Sequence, residues 1–492
     1  MGTRSAVRAL RARPVPTWWR DAKLGIFIHW TPASIPAFAP TEHEIGELFA
    51  SGQPDALANV PYSEWYENSL RFPDSAVSAH HRQHYGDRPY RSFMDDWENA
   101  LDEWNPGSWA ARFAATGARY VVLVTKHMDG YCLWPSDVPN PRAPRARSER
   151  DVVGELAEAV RSAGMRFGVY YSGGLDSTFN DHRLGTFADL LVAQPRGDYL
   201  AYAEAQVREL IERYAPSVLW NDISWPGPVD RLASLLEFYY DAVPDGVVND
   251  RFVPWSPAWT VLRTRPARRG IDMLVRRVSR SGRGFVPPAP PLYDVRTPEY
   301  AVFDTIQSKP WECVRGFDKS FGHNRASTDS DFLTRRELLW MVCDIASKNG
   351  NLLINVGPRG DDAQIPKRQA DRLRWLAEFT STVGDALYGT RPWIDPGGAV
   401  GDDAEVRYTA RDRDVYAFIR PARDDGKVER ITLPGFGLTA ATVVERLGSG
   451  NVVASSAPNG IRLLLDPPAD PEVPVAVRLT DAAATSQTHA SL

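Results

Sequence analysis

Cysteine is scarce in this 492-residue sequence: there are three, Cys132, Cys313 and Cys343, far apart and set in apolar surroundings. An odd number without zinc-type spacing predicts neither a disulfide framework nor a structural metal site, and points to a reducing compartment. Long hydrophobic runs are missing too. No stretch reaches the roughly 18 apolar residues of a spanning helix, so none is expected. Residues 1–19 carry Arg4, Arg8, Arg11 and Arg13 but no apolar stretch of signal-peptide length. Their Arg-rich, acid-poor character is shared with transit peptides, but the commoner arrangement is a flexible basic tail, expected over residues 1–16. Together these features predict a cytoplasmic protein. The net charge of −5 is small for the length, which gives no reason to expect nucleic acid or a membrane as partner. A Gly-x-Ser-x-Gly elbow, a Gly-Lys-Ser/Thr phosphate loop and internal repeats are all absent.

What is present reads as a globular chain of two or three domains, 43% hydrophobic and 24% charged. Short apolar runs at residues 23–30 (KLGIFIHW), 120–125 (YVVLVT), 167–172 (FGVYYS), 217–222, 246–251 and 351–358 read as strands. Helical spacings at 108–116, 151–163, 199–214, 231–240, 332–346 and 367–379 come between or after them. This alternation predicts a parallel sheet, and the unbroken apolar strands predict cover on both faces. Several strands end on a residue that can do chemistry: His29, His127, Tyr171, Asp222 and Arg251. That recurrence predicts an α/β fold of the (β/α)8-like TIM barrel type, whose site gathers at the carboxyl ends of the strands. A doubly wound sheet would want a Gly-rich turn after the first strand, and Ile28-His29-Trp30-Thr31 is not one. The barrel is expected over residues 17–393. Residues 252–298, arginine-rich and then proline-rich, read as an inserted surface loop with a solvated basic cluster. Short strands at about dozen-residue spacing then predict a small C-terminal antiparallel β-sandwich over 394–480, and the small, polar residues 481–492 a disordered tail.

Residues 217–226 (SVLWNDISWP) place a carboxylate, Asp222, at a strand end between Trp220 and Trp225. Indole faces stack on sugars, and a carboxylate can act on an anomeric carbon. The same pattern also suits a helix cap with core tryptophans. His80, His81 and His84 are close together, but the metalloprotease pattern needs a glutamate where His81 stands, so a solvated helix face is expected and no metal. Ser172-Gly173-Gly174 reads as a tight turn. Carboxylate chemistry amid His, Trp, Tyr and Arg remains. Glycoside hydrolysis needs two carboxyls. Asp222 is the natural nucleophile, and Glu299 (TPEY) and Glu312 (PWEC) are both open as acid/base.

Nine signatures occur in order: GIFIHW, YSEWYENS, KHMDGYCLWPS, VYYSGGLD, VLWNDISWP, VVNDRF, TPEY, FGHNR and GNLLINVGP. In these, the chain over residues 17–393 resembles the α-L-fucosidases of glycoside hydrolase family 29. The resemblance implies a (β/α)8-like catalytic domain and retaining, exo-acting release of terminal α-L-fucose, with no metal or cofactor. It also implies Asp222 as nucleophile and Glu299 as acid/base, with Glu312 the alternative. His29, Glu64, Trp65, His127, Tyr171, Trp220, Arg251 and Phe321 fall on positions that shape the fucose pocket. The implied partner is a fucosylated oligosaccharide or glycoside; a homo-oligomeric state is left open. Three departures stand out: Met128 follows His127 where the family commonly has a second histidine, Thr31 stands where glycine is usual, and residues 252–298 are longer than expected. Met128 motivates a competing reading, a glycosidase for a related sugar such as a galactoside. A non-catalytic carbohydrate-binding protein would predict a missing carboxylate, and all three acids are present.

Overall fold

The computed structural model describes residues 3–279, 286, 289–422 and 428–484. Seven parallel strands form its centre: β1 Leu24–Ile28, β2 Tyr120–Lys126, β3 Arg166–Ser172, β4 Val218–Asp222, β5 Val247–Val248, β6 Trp311–Gly316 and β7 Gly350–Val356. They pair in the order β5-β4-β3-β2-β1-β7-β6. Between the edge strands β5 and β6 runs the segment 295–299, bridged to Asn249 on one side and to Trp311 and Val314 on the other. The curled sheet closes through that irregular stave, as a (β/α)8-like barrel does.

The two faces of each strand enter different cores. Phe27, Tyr120, Val122, Tyr170, Trp220, Val314 and Leu353 pack inside the barrel. Ile26, Val121, Phe167, Val169, Tyr171, Leu219 and Val248 pack outward in the cluster that includes the helices. Both faces are apolar, so side-chain alternation is hidden in the sequence yet decides what each residue touches.

Residues 391–484 add antiparallel sheets. One holds Val443–Leu447, Val475–Thr480, Asp414–Pro421, Ala404–Arg411 and Arg391–Pro392 in that order, and a second holds Arg430–Pro434, Gly460–Leu465 and Val452–Ala457. Val406, Tyr408, Ile419, Leu433, Ile461 and Val477 share the core between them. Arg407, on this unit, pairs with Asp344 of the barrel helix Arg335–Ser347.

Three expectations need correction. The supposed tail holds a helix, Thr3–Arg11. Ala6 is buried, Val7 and Leu10 pack on the main core, and Arg11 Nε donates to the Pro291 carbonyl at 2.7 Å. The small apolar stripe of that helix is enough to dock it. The insertion is not a loop throughout: it forms a 3-10 turn, Pro257–Arg263, and a helix, Arg265–Ser279. Its arginines are not simply solvated either, since Arg268 pairs with Asp189. In the expected disordered tail, Ala483–Ala484 pairs with Phe436–Gly437; residues 485–492 lie outside the described residues, as do 280–285 and 287–288 of the insertion. Among the described residues, no helix is long and apolar enough to cross a membrane.

Candidate active site

A cavity of about 700 Å³ opens at the carboxyl ends of the barrel strands. Its floor is built around the end of β4. Asn221 faces away from the barrel, and its Nδ2 donates to the carbonyls of Ser224 and Arg251 at 2.8 and 3.0 Å. This clamp turns the chain directly after Asp222, through Ile223 at φ 55° and Ser224 at φ 74°. A β-branched residue at positive φ is strained, and such strain persists only where surrounding contacts impose it. Gly173 and Gly174 donate their N–H groups to the Asp222 carbonyl at 3.2 and 3.3 Å. A Cβ on Gly174 would lie 1.5 Å from the Ile223 carbonyl oxygen, so only glycine admits this approach.

Asp222 therefore points into the cavity. Its Oδ2 accepts from the Tyr170 hydroxyl at 2.8 Å, and its Oδ1 accepts from the Ile223 N–H at 2.8 Å. Burial raises its pKa, while the Arg251 guanidinium, 3.6 Å from Oδ1, pulls it back down. Glu299 sits on the closing stave. Its Oε1 accepts from the Tyr62 hydroxyl at 2.5 Å and its Oε2 from Arg251 Nη2 at 3.2 Å. Arg251 is itself fixed by the Thr297 carbonyl at 2.9 Å and Thr297 Oγ1 at 3.2 Å. One guanidinium thus spans both carboxylates.

A polar corner lies beside them. Asn355 Nδ2 donates to the Phe321 carbonyl, so its Oδ1 faces His29 Nδ1, at 2.6 Å. Nδ1 of His29 then carries the proton and Nε2 is a bare acceptor. Burial drives the His29 pKa down to about 3, which keeps the ring neutral. Glu64 is buried by the 3-10 turn Ser63–Trp65. Its Oε2 accepts from the Gly322 N–H at 2.9 Å. Burial nonetheless lifts its pKa to about 8, so near neutral pH it is an acid with a proton to donate. His127 stacks on Tyr170 at 5.7 Å between centroids, and its buried Nδ1 has no hydrogen-bond partner. Ligand atoms of His29, Glu64 and His127 all lie within 4.8 Å of one another. Two neutral imidazoles and a carboxyl at that spacing can bind adjacent hydroxyls, and they are also the described residues best placed to hold a divalent cation. Trp65, Phe27 and Phe321 supply apolar wall.

The sequence-derived residues fall out unequally. Asp222, Glu299, His29, Glu64, Trp65, His127, Trp220, Arg251 and Phe321 all line the one cavity. Tyr171 does not, and this is a correction: it points outward, its hydroxyl donating to Gln206 Oε1 at 2.9 Å. Its neighbour Tyr170 takes the inward place. The register Tyr170↔Trp220 and Ser172↔Asp222 fixes this, because residues paired across parallel strands share a face. Glu312 also lies off the cavity. It is buried within the barrel, accepting from the Tyr120 hydroxyl at 2.5 Å and Trp220 Nε1 at 3.2 Å, and burial raises its pKa to about 7. The second flanking tryptophan, Trp225, is fully buried beside Phe252 and is core. Met128 is buried in the barrel's inner cluster with Trp65, not on the cavity lining. His81 is buried and bonded to Tyr66 and the Arg88 carbonyl, and the half-buried His80 stacks on Phe38, whereas His84 is exposed, so the histidine face is solvated only in part. Tyr62, Tyr170 and Asn355 were not singled out from sequence. Strand register could have found Tyr170; the other two act across 237 and 326 residues.

The family model of alpha-L-fucosidase matches residues 3–385. The chain is 29% identical to an alpha-L-fucosidase of Branchiostoma floridae over 437 residues, 85% of this chain and 82% of that one. Among solved structures, it superposes on Thermotoga maritima alpha-fucosidase in complex with a mechanism based inhibitor with a TM-score of 0.77 at 33% identity. That match covers 96% of this chain and 98% of the other. The same enzyme in complex with fucose gives 0.77 at 33% identity, with 96% and 99% covered.

Proposed function

The chain belongs to the alpha-L-fucosidase family, and we propose that it is a retaining, exo-acting member working through a covalent fucosyl-enzyme, with Asp222 as nucleophile and Glu299 as acid/base. The observation that carries this reading is the sharing of Arg251 by the two carboxylates within one cavity. A retaining mechanism wants its two carboxyls close, about 5–5.5 Å apart. The Asp222 carboxylate attacks the anomeric carbon while Glu299 gives its proton to the departing glycosidic oxygen. The glycosyl–oxygen bond breaks and a fucosyl ester forms on Asp222. Glu299, now a carboxylate, takes a proton from water, whose oxygen displaces the ester and regenerates Asp222.

The polar corner suits the sugar. His29 Nε2 accepts from one hydroxyl, protonated Glu64 donates to another, and His127 adds a third contact. Trp65 and Phe321 would face the 5-methyl group of fucose. No step needs a metal or cofactor. The substrate class is a glycan or glycoside ending in α-L-fucose.

The decisive comparison is azide rescue of Glu299→Ala and Glu312→Ala on an activated aryl α-L-fucoside. Rescue of the Glu299 variant, yielding fucosyl azide, is expected. Rescue confined to the Glu312 variant would overturn the assignment, and retention of full turnover in Asp222→Ala would overturn the mechanism.

A further inference from the structure

The cavity continues past the carboxylates into a second compartment whose walls are almost wholly apolar. One wall is the inserted helix Arg265–Ser279. Ile271, Leu274, Val275 and Val278 stand at i, i+3, i+4 and i+7 on it, the stripe with which a helix normally faces a core. Here the stripe lines the cavity instead. Leu274 remains 57% exposed, as does Val278. Opposite lie Phe49 and Leu190, from the helices Ile45–Ser51 and Phe187–Val192. The helix is held in place by polar contacts around the stripe: Asp272 Oδ1 accepts from the Ala188 N–H at 2.9 Å, and Arg268 pairs with Asp189. Trp259 and Leu262 of the preceding 3-10 turn extend the apolar surface.

Apart from Ser279 at the end of the inserted helix, the polar groups that line the cavity cluster at the sugar end. A second sugar in the outer compartment would give up water from its hydroxyls without gaining partners. An apolar group would lose nothing, and would cover a patch that is otherwise wet. We infer that this compartment is a leaving-group subsite for an apolar aglycone, a long alkyl or fused-ring alcohol, in preference to a further sugar. The inference rests on the reading of Asp222 and Glu299 as the reacting pair and adds the chemistry of what they detach.

The test is a series of α-L-fucosides of methanol, butanol and octanol, with a naphthylmethyl fucoside and fucosyl-lactose beside them, all below micellar concentration. Simple primary alcohols differ little as leaving groups, so chain length reports binding in the outer compartment. A fully buried methylene is worth about 0.8 kcal/mol, close to fourfold; with partial burial, kcat/KM should rise at least about tenfold from methyl to octyl. The naphthylmethyl arm tells whether fused rings share the gain. In the double variant Leu274→Asp, Val278→Asp the octyl-to-methyl ratio should fall towards one; taking a ratio cancels any general loss of activity. A flat series in the unmodified protein, or fucosyl-lactose outrunning every apolar fucoside, overturns the inference while leaving the fucosidase reading intact. Failure to cleave any fucoside or to bind fucose would overturn that reading instead.

Discussion

Glu64 carries a conflict between stability and binding that can be measured. The residue is 4% exposed, and burial lifts its pKa from 4.5 to about 8. The sign follows from proton counting. Between those values the folded protein holds a proton that the unfolded chain has released, so stability is complete below about 4.5 and falls as pH rises through about 8. The full difference corresponds to about 5 kcal/mol, and at pH 7 about 3 kcal/mol of it is already lost. Glu64→Gln keeps the shape and still offers an oxygen to the Gly322 N–H, but cannot ionise. The variant should therefore be more stable than the parent by about 3 kcal/mol at pH 7, and by under about 1 kcal/mol at pH 5. Hydrogen exchange of β1 and β7 amides at the two pH values, or denaturant unfolding if reversible, reads the difference. The Gln amide can still donate to a sugar hydroxyl, so weakened but measurable turnover is expected. Equal stability differences at pH 5 and pH 7 would refute the burial argument, because a packing effect does not titrate.

Other outcomes follow from the same geometry. Tyr170→Phe removes the hydroxyl that donates to Asp222 and should lower kcat/KM about tenfold or more, since bonds to charged groups are worth about 1.5–3 kcal/mol. Tyr171→Phe should leave steady-state kinetics on an aryl fucoside near the parent value; the reverse order would mean β3 is out of register. Glu312→Ala strands the Tyr120 and Trp220 donors and should cost about 2–5 kcal/mol in unfolding free energy, whereas Glu312→Gln should retain most turnover. Dialysis against a chelator should leave activity unchanged, while added Zn²⁺ should compete with fucose at His29, Glu64 and His127; activity lost on chelation and restored by metal would contradict the two-carboxylate mechanism.

The amino-acid sequence by itself determined six of the seven barrel strands, Trp311–Gly316 being missed, and the placing of His29, His127, Asp222 and Arg251 at or just beyond strand ends. These are local properties: apolar runs of strand length, helical spacing between them, and a polar residue where each run stops. Tertiary structure alone decided which face each side chain takes. Strands covered on both sides are apolar on both, so composition could not separate inward Tyr170 from outward Tyr171; pairing with Trp220 and Asp222 did. It also gave Glu299 and Glu312, which look alike in their short motifs, different surroundings. Closure of the barrel through residues 295–299 brings Glu299 to Arg251, while β6 carries Glu312 inward to Tyr120 and Trp220. The insertion shows the same limit. Its arginines read as a solvated loop because eight of them crowd residues 263–283. Yet Ile271, Leu274, Val275 and Val278 become a wall once the helix forms against its neighbours. Periodicity is written in the chain, but what a stripe or a carboxylate faces depends on contacts hundreds of residues away.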